Sequence, residues 1–230
     1  MAELLYEGKA KQVYKTEKED EYLIHYKDDA TAGNGVKHDK FEGKGVLNNT
    51  ISCIIFDMLE EAGIKTHMIK KLNERDILVK KVDIFPLEVI IRNITTGSFC
   101  KRLGAKEGIV LDEPIFEMSY KNDEYGDPLI NDDHAVALKL ATREELAYIK
   151  ETTLKINELL KEFFLSMNLK LVDFKIEFDG TILLADEISP DSCRLWDVDT
   201  NQKYDKDVFR QDIGDLIETY KAVLARMQNK

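Results

Sequence analysis

The apolar residues of this chain change period in blocks, and the order of those blocks limits what it can fold into. Residues 3 to 27 hold three short period-two runs, LLYEG, KQVYKT and EYLIHYK, separated by Gly8 and by the charged turn EKEDE. Such spacing predicts an antiparallel meander. Helical spacing takes over from Gly45 to Glu61, where Val46, Leu47, Ile51, Ile54, Ile55, Met58 and Leu59 share a stripe and Gly63 supplies a stop. Strands are predicted at 67 to 73 and 76 to 82, followed by VDIFP and then LEVIIRNI, whose unbroken apolar character suits burial on both faces. Pro86 marks a lobe boundary, giving a β-rich lobe over 1–84 and an α+β lobe over 85–230. Beyond it, a short helix is expected from TTGSFCKR to Gly104, and a long one from Thr142, whose T-x-x-E with Glu145 is a capping box. A last helix is expected from about Lys206 to Gln228. Because strands and helices come in blocks, a two-lobed α+β architecture fits better than a doubly wound sheet.

Between the last two helices stands VDFKIEFDGTILLADEISPDSCRLWD, residues Val172 to Asp197. Val172, Phe174, Ile176 and Phe178 alternate with Asp173, Lys175 and Glu177, so apolar groups face one way and charges the other. Asp179-Gly180 has the form of a two-residue type I′ turn. That register sets Glu177 opposite Ile182, Lys175 opposite Leu184 and Asp173 opposite Asp186. Asp186 then falls about 13 Å along the ladder from Glu177's partner, at about 3.3 Å per residue. Either the strands splay and both carboxylates reach one ion, or they serve separate ions. Magnesium suits this choice, since it commonly takes one or two carboxylates together with phosphate oxygens. A plain charged hairpin face is the alternative.

Several chemistries are excluded. The chain lacks G-x-x-x-x-G-K-[ST], G-x-G-x-x-G, H-E-x-x-H and G-x-S-x-G. Its four histidines are dispersed and read as packing or surface groups, with no catalytic role. Net charge is -11, from 44 acidic and 33 basic residues, which argues against a nucleic acid or an anionic membrane as partner. Cys53, Cys100 and Cys193 lie far apart, so reduced thiols are expected. MAELLYEGKAK lacks an apolar signal region, and a cytoplasmic protein is expected.

Two basic clusters remain. YEGKAKQVY sets Lys9 and Lys11 two apart beside Gly8, which suits a phosphate, although a solvated edge strand reads the same way. In RNITTGSFCKR, Arg92 precedes a helix start at Gly97-Ser98, and Lys101 and Arg102 follow. Free N–H groups and the dipole favour an anion there, against the alternative of a capped helix with a charged flank.

YEGKAKQVY, DDATAGNG, GKGVLNN, VKKVD with PLEVIIRN, TGSFCKR, KND-x-x-x-DP-x-IN, LVDFKIEF and above all ADEISPDSCRLWD resemble the phosphoribosylaminoimidazole-succinocarboxamide synthase (SAICAR synthetase) family. The resemblance runs in order from about residue 3 to Arg210. It implies an ATP-dependent ligase of de novo purine synthesis that joins carboxyaminoimidazole ribonucleotide (CAIR) to L-aspartate, with magnesium (Mg2+) and ATP. The implied fold has a protein-kinase-like or ATP-grasp-like nucleotide cleft. By position, Lys9, Lys11 and Val13 would cover ATP, with Lys80, Val82 and Ile84 at the hinge and Lys121 nearby. Glu177 and Asp186 would hold magnesium. Lys11, Lys175 and Asp186 would be the catalytic set. Thr31, Asn34, Arg92, Ser98, Arg102, Asp191, Arg194 and Arg210 would bind substrate, with Asp127 a weaker match. One departure is Thr31-Ala32-Gly33-Asn34, where some members carry SAGD, so any role needing a carboxylate at Asn34 is in doubt. A small-molecule kinase and a nucleotide-sensing binding protein remain as alternative readings, and homo-oligomerisation is left open.

Overall fold

The structure is a computed structural model describing residues 3–32 and 36–229. β1 (Leu4–Glu7), β2 (Lys11–Lys15) and β3 (Glu21–Tyr26) form the expected antiparallel meander. β4 (Asp29–Ala32) and β5 (Lys37–Lys40) make a separate hairpin that the sequence reading did not anticipate. α1 (Lys44–Glu61) follows, then β6 (Met68–Lys71) and β7 (Asp76–Lys80), which extend the first sheet to the order β1-β2-β3-β7-β6.

Gly45 sets how α1 meets that sheet. A Cβ there would lie 2.4 Å from the Tyr26 carbonyl oxygen, so only glycine allows the helix start to touch the end of β3. Asp28 ties the same corner, accepting from Gly45 N–H at 2.9 Å and pairing with both Arg75 amines at 2.8 and 2.9 Å.

The second sheet begins with β8 (Leu87–Ile94), after which α2 (Gly97–Leu103) ends at left-handed Gly104 as expected. β9 (Val110–Tyr120), β10 (Leu129–Ile130) and α3 (Asp132–Ala137) occupy a stretch whose acidic, Pro-interrupted sequence shows no clean period. α4 (Arg143–Leu165) carries the predicted capping box: Glu145 N–H donates to Thr142 Oγ1 at 3.2 Å and Thr142 N–H to Glu145 Oε2 at 2.7 Å. β11 (Leu169–Phe178), β12 (Leu184–Ala185) and β13 (Cys193–Asp197) complete a sheet in which β11 pairs with β8 on one side and with β12 and β13 on the other. α5 (Asp207–Arg210) and α6 (Leu216–Gln228) close the described chain. One hydrophobic cluster includes Ile24 and Val79 of the first sheet with Phe174, Ile176 and Leu195 of the second.

Three local expectations are overturned. The last helix is broken in two, because Asp212 adopts φ 55 and Asp215 starts a new N-cap, accepting from Glu218 N–H at 2.9 Å. The β11–β12 turn has five residues, not two. Asp179 accepts from Leu183 N–H at 2.8 Å and Thr181 N–H at 3.0 Å, and Ile182 takes φ 62, so Glu177 pairs with Ala185 and Phe178 with Leu184. The β11–β13 register also shifts between Leu171 and Asp173, which takes Val172 out of line with Phe174 and packs it with Ile94 and Trp196.

His67 is a packing residue. It is 1% exposed, stands edge-on to Phe56 at 5.6 Å, and its Nδ1 lies 3.2 Å from the Leu184 carbonyl oxygen. Burial holds its pKa down to about 4. The folded chain therefore keeps His67 neutral while the unfolded chain takes up a proton below about 6.5, so stability is complete above that pH and is lost as pH falls toward 4. From a shift of this size, acidification from pH 7 to 4 should cost up to about 3 kcal/mol through this group. A His67→Leu variant should show a correspondingly smaller drop between urea midpoints at pH 7 and pH 4.5, and an equal drop in both proteins would contradict the assignment.

Candidate active site

The site is built on β11, whose period-two alternation sends Asp173, Lys175 and Glu177 to the face away from the main core. Asp173 lies in register with Arg92 of β8 on one side and Arg194 of β13 on the other. Its Oδ2 accepts from Arg92 at 3.0 Å and from Arg194 at 2.7 Å, and the residue is 4% exposed. Burial outweighs both arginines and shifts the Asp173 pKa upward. Arg92 also donates to Glu117 at 2.7 Å and to Ser98 Oγ at 3.1 Å. Arg194 also donates to Asp207 at 3.0 Å, which in turn holds Arg210 at 2.8 Å. Gly97, at φ 56, gives Arg194 its place: a Cβ there would lie 2.7 Å from Nη2.

At the other end of β11, Glu177 receives both hydrogen bonds of Lys121, at 2.6 and 2.8 Å. Asp186, one residue past Glu177's partner Ala185, turns off β12 at φ 64 and is bound by Lys11. The longer turn thus brings Asp186 close enough for its charge to act on Glu177. Burial, then Asp186, raises the Glu177 pKa. Burial would raise Asp186 too, but Lys11, joined by Lys175 and Lys121, outweighs it and holds the pKa at about 2. Lys175 donates to Glu88 at 2.5 Å.

A cleft of about 340 Å³ lies over this face. Of the expected residues, Lys9, Thr31, Arg92, Ser98 and Lys175 line it, as do Asp186, Asp191, Arg194 and Arg210. Lys9 also pairs with exposed Asp123 at 3.0 Å. The remaining expected residues fall outside that lining. Lys11 is occupied by Asp186, Val13 packs on the main core, and Lys80 donates to the Thr66 carbonyl at 3.1 Å. Val82 and Ile84 lie in the connection from β7 to β8, with Ile84 bridged to Asp179. Lys121 faces Glu177, and Arg102 pairs with Glu117 at 2.7 Å outside the cleft. Asp127 accepts from Asn122 N–H at 2.8 Å within a turn. Asn34 lies outside the described residues.

The sequence reading missed a buried group beneath the cleft. Lys44, with a fully buried side chain, lies 2.6 Å from Asp191, though not aligned as a hydrogen bond. Lys206 approaches the same carboxylate at 3.4 Å, and Tyr220 of α6 donates to it. Burial would raise the Asp191 pKa, but Lys44 and Lys206 hold it well below the usual carboxylate range. Asp207 and Glu187 were likewise not singled out, since a carboxylate in a polar loop reads as solvated, and Asp173, placed on the charged face of its strand, was given no role in the site.

Among the described residues, no group of three or more His, Cys, Asp or Glu is arranged to hold a metal. Glu177 and Asp186 fit a hard cation that takes its other ligands from phosphate and water: both are oxygen donors, and each now holds a lysine ammonium.

The family model described as SAICAR synthetase matches residues 4–227. The phosphoribosylaminoimidazole-succinocarboxamide synthase of Finegoldia magna is 66% identical over 230 residues, covering 98% of this chain and 99% of that one. The crystal structure of the enzyme of that name from Ehrlichia chaffeensis superposes with a TM-score of 0.96 at 45% identity, covering 98% of each chain. A structure described as SAICAR synthetase (Type-2) in complex with ADP gives 0.95 at 49% identity, covering 98% of this chain and 97% of that one. With sequence and fold agreeing along nearly the whole length, the chain belongs to the SAICAR synthetase family.

Proposed function

We propose that this cleft performs the family's reaction with the roles set out below; the family makes the chain an ADP-forming ligase of purine biosynthesis that binds ATP. It joins the carboxylate of CAIR to the amine of L-aspartate. The observation that carries the residue roles is Asp173 held in register between Arg92 and Arg194, which presents fixed guanidinium groups to an anionic substrate in an acidic protein.

A carboxylate resists attack by an amine, so it is first activated. A carboxylate oxygen of CAIR bonds to the γ-phosphorus of ATP, the bond to the bridging oxygen breaks, and ADP leaves. The aspartate nitrogen then bonds to the acyl carbon as the carbon–oxygen bond to phosphate breaks. Two protons leave that nitrogen, one ending on phosphate and one in solvent. Such a sequence needs positioning and positive charge more than a nucleophilic side chain, in keeping with a site that has no histidine.

Arg92, Ser98, Arg194 and Arg210 are assigned to the ribonucleotide, chiefly its phosphate. Lys175 lines the cleft with its side chain 38% exposed and is assigned to the transferring phosphoryl group. Lys11 acts through Asp186, which it binds and orients. Lys9 and the stretch from Lys80 to Ile84 are assigned to ATP, and the division at 84/85 to the two sides of its cleft. Glu177 and Asp186 would hold magnesium, which when bound supplies positive charge to the phosphate oxygens. The three unpaired cysteines and use of ATP suit a cytoplasmic setting.

Phosphate release with ATP, magnesium and CAIR should depend on L-aspartate and yield the succinocarboxamide; a stable phosphorylated product formed without aspartate would indicate a kinase instead. Asp186→Asn should lower turnover by about 100-fold or more while the fold, checked by circular dichroism, is kept, since asparagine tolerates the left-handed backbone at this position; the lost ion pair with Lys11 should lower the melting temperature. Near-normal turnover would sink the metal assignment. Gly97→Ala should displace Arg194 and raise KM for CAIR about tenfold while KM for ATP moves less than about twofold. Equal shifts in both constants would count against the phosphate role.

A further inference from the structure

Glu187 has one long ion pair and, among the described residues, no hydrogen bond to its second carboxylate oxygen. It follows Asp186 directly, lines the cleft, and its side chain is 7% exposed. Oε1 lies 3.8 Å from the Lys11 ammonium, which is already bound to Asp186, while the other buried cation nearby, Lys44, sits against Asp191. Oε2 is buried and meets no hydrogen-bond donor among the described residues. A buried carboxylate oxygen without a donor is costly, so a ligand that supplies one is favoured at that place.

The reactants differ sharply in what they could offer. The phosphates of ATP, the carboxylate and phosphate of CAIR, and both carboxylates of L-aspartate are anions, and Glu187 flanked by Asp186 and Asp191 would repel each of them. Apart from magnesium, the one cation brought in is the ammonium of L-aspartate. Glu187 also adjoins Asp186, close to where the phosphoryl chemistry is assigned, so an amine held there lies beside the activated carboxylate.

We propose that Glu187 accepts a hydrogen bond from the amino group of L-aspartate and fixes the position from which that nitrogen attacks. This rests on the ligase reading above and assigns a residue to its second substrate.

The test is Glu187→Gln, which keeps size and removes the charge, assayed by aspartate-dependent phosphate release. KM for L-aspartate should rise about tenfold or more, while KM for ATP and CAIR and the half-saturating magnesium concentration stay within about twofold. Succinate, which has both carboxylates but no amine, should inhibit wild type and variant with the same constant within about twofold. An unchanged aspartate KM overturns the proposal. So does a parallel rise in the succinate constant, which marks a general change of pocket shape, or a shift in magnesium dependence, which marks a cation ligand. If the glutamine variant does not fold, Glu187→Asp, which retains the charge but withdraws the oxygens, is read by the same constants. Absence of aspartate-dependent turnover in the wild type would instead defeat the ligase reading itself.

Discussion

Asp173 has a strand on either side, each contributing an arginine at the same register position. The cleft depends on that cross-strand triad. A buried carboxylate is unfavourable alone, and so is a buried guanidinium, but one carboxylate between two guanidiniums leaves a net positive charge at a fixed place. The pattern continues outward: Arg92, Arg102, Arg194 and Arg210 are held by Asp173, Glu117 and Asp207, four cations on three anions. A chain with net charge -11 in this way gathers positive charge at one place by pairing its arginines there. The sheet geometry does the positioning, since the arginines are clamped by partners on neighbouring strands and little rotamer freedom remains to be lost on binding.

The other end of the same strand has the opposite polarity. Glu177 and Asp186 are the carboxylates there, and lysines from distant parts of the chain neutralise them. One strand therefore carries an end lined by paired arginines and an end lined by paired carboxylates. The distance between the ends is set by the pleat, which lets two residues of a single β-strand organise two different charges.

Much of this was legible in the chain. The meander, α1, the capping box of α4 and the alternation of β11 follow from period and capping residues, which act locally. The β11–β12 turn did not, because Asp179-Gly180 satisfies a two-residue turn on paper while the Asp179 carboxylate satisfies a five-residue one by capping Thr181 and Leu183. The competing interaction is a side chain bonding to backbone, which hydrophobic period does not encode. Lys44 was missed for a related reason: a lysine at a helix start reads as solvated, and only the tertiary approach of Asp191 and Tyr220 explains its burial. β9 and the break before α6 lacked a period or carried a misleading one. Of the residues expected from the motif-rich stretches, nine line the cleft; Asp207 and Glu117, which hold its arginines in place, carry no local signal of their own.

The bond from Tyr220 to Asp191 has a consequence for the order in which the molecule is made. Asp191 belongs to the loop between β12 and β13, Lys44 to the first helix and Tyr220 to the last, so the buried charge beneath the cleft is shared by segments 176 positions apart in sequence. During synthesis from the N-terminus, α1 and its sheet are made before β11, β12, β13 and α6, which complete the core they share. Until α6 emerges, Asp191 lacks its hydroxyl partner and Lys44 its enclosure. The first helix thus gains the enclosure of its buried lysine only once the last helix is in place, and the site is completed at the end of the chain rather than at its beginning.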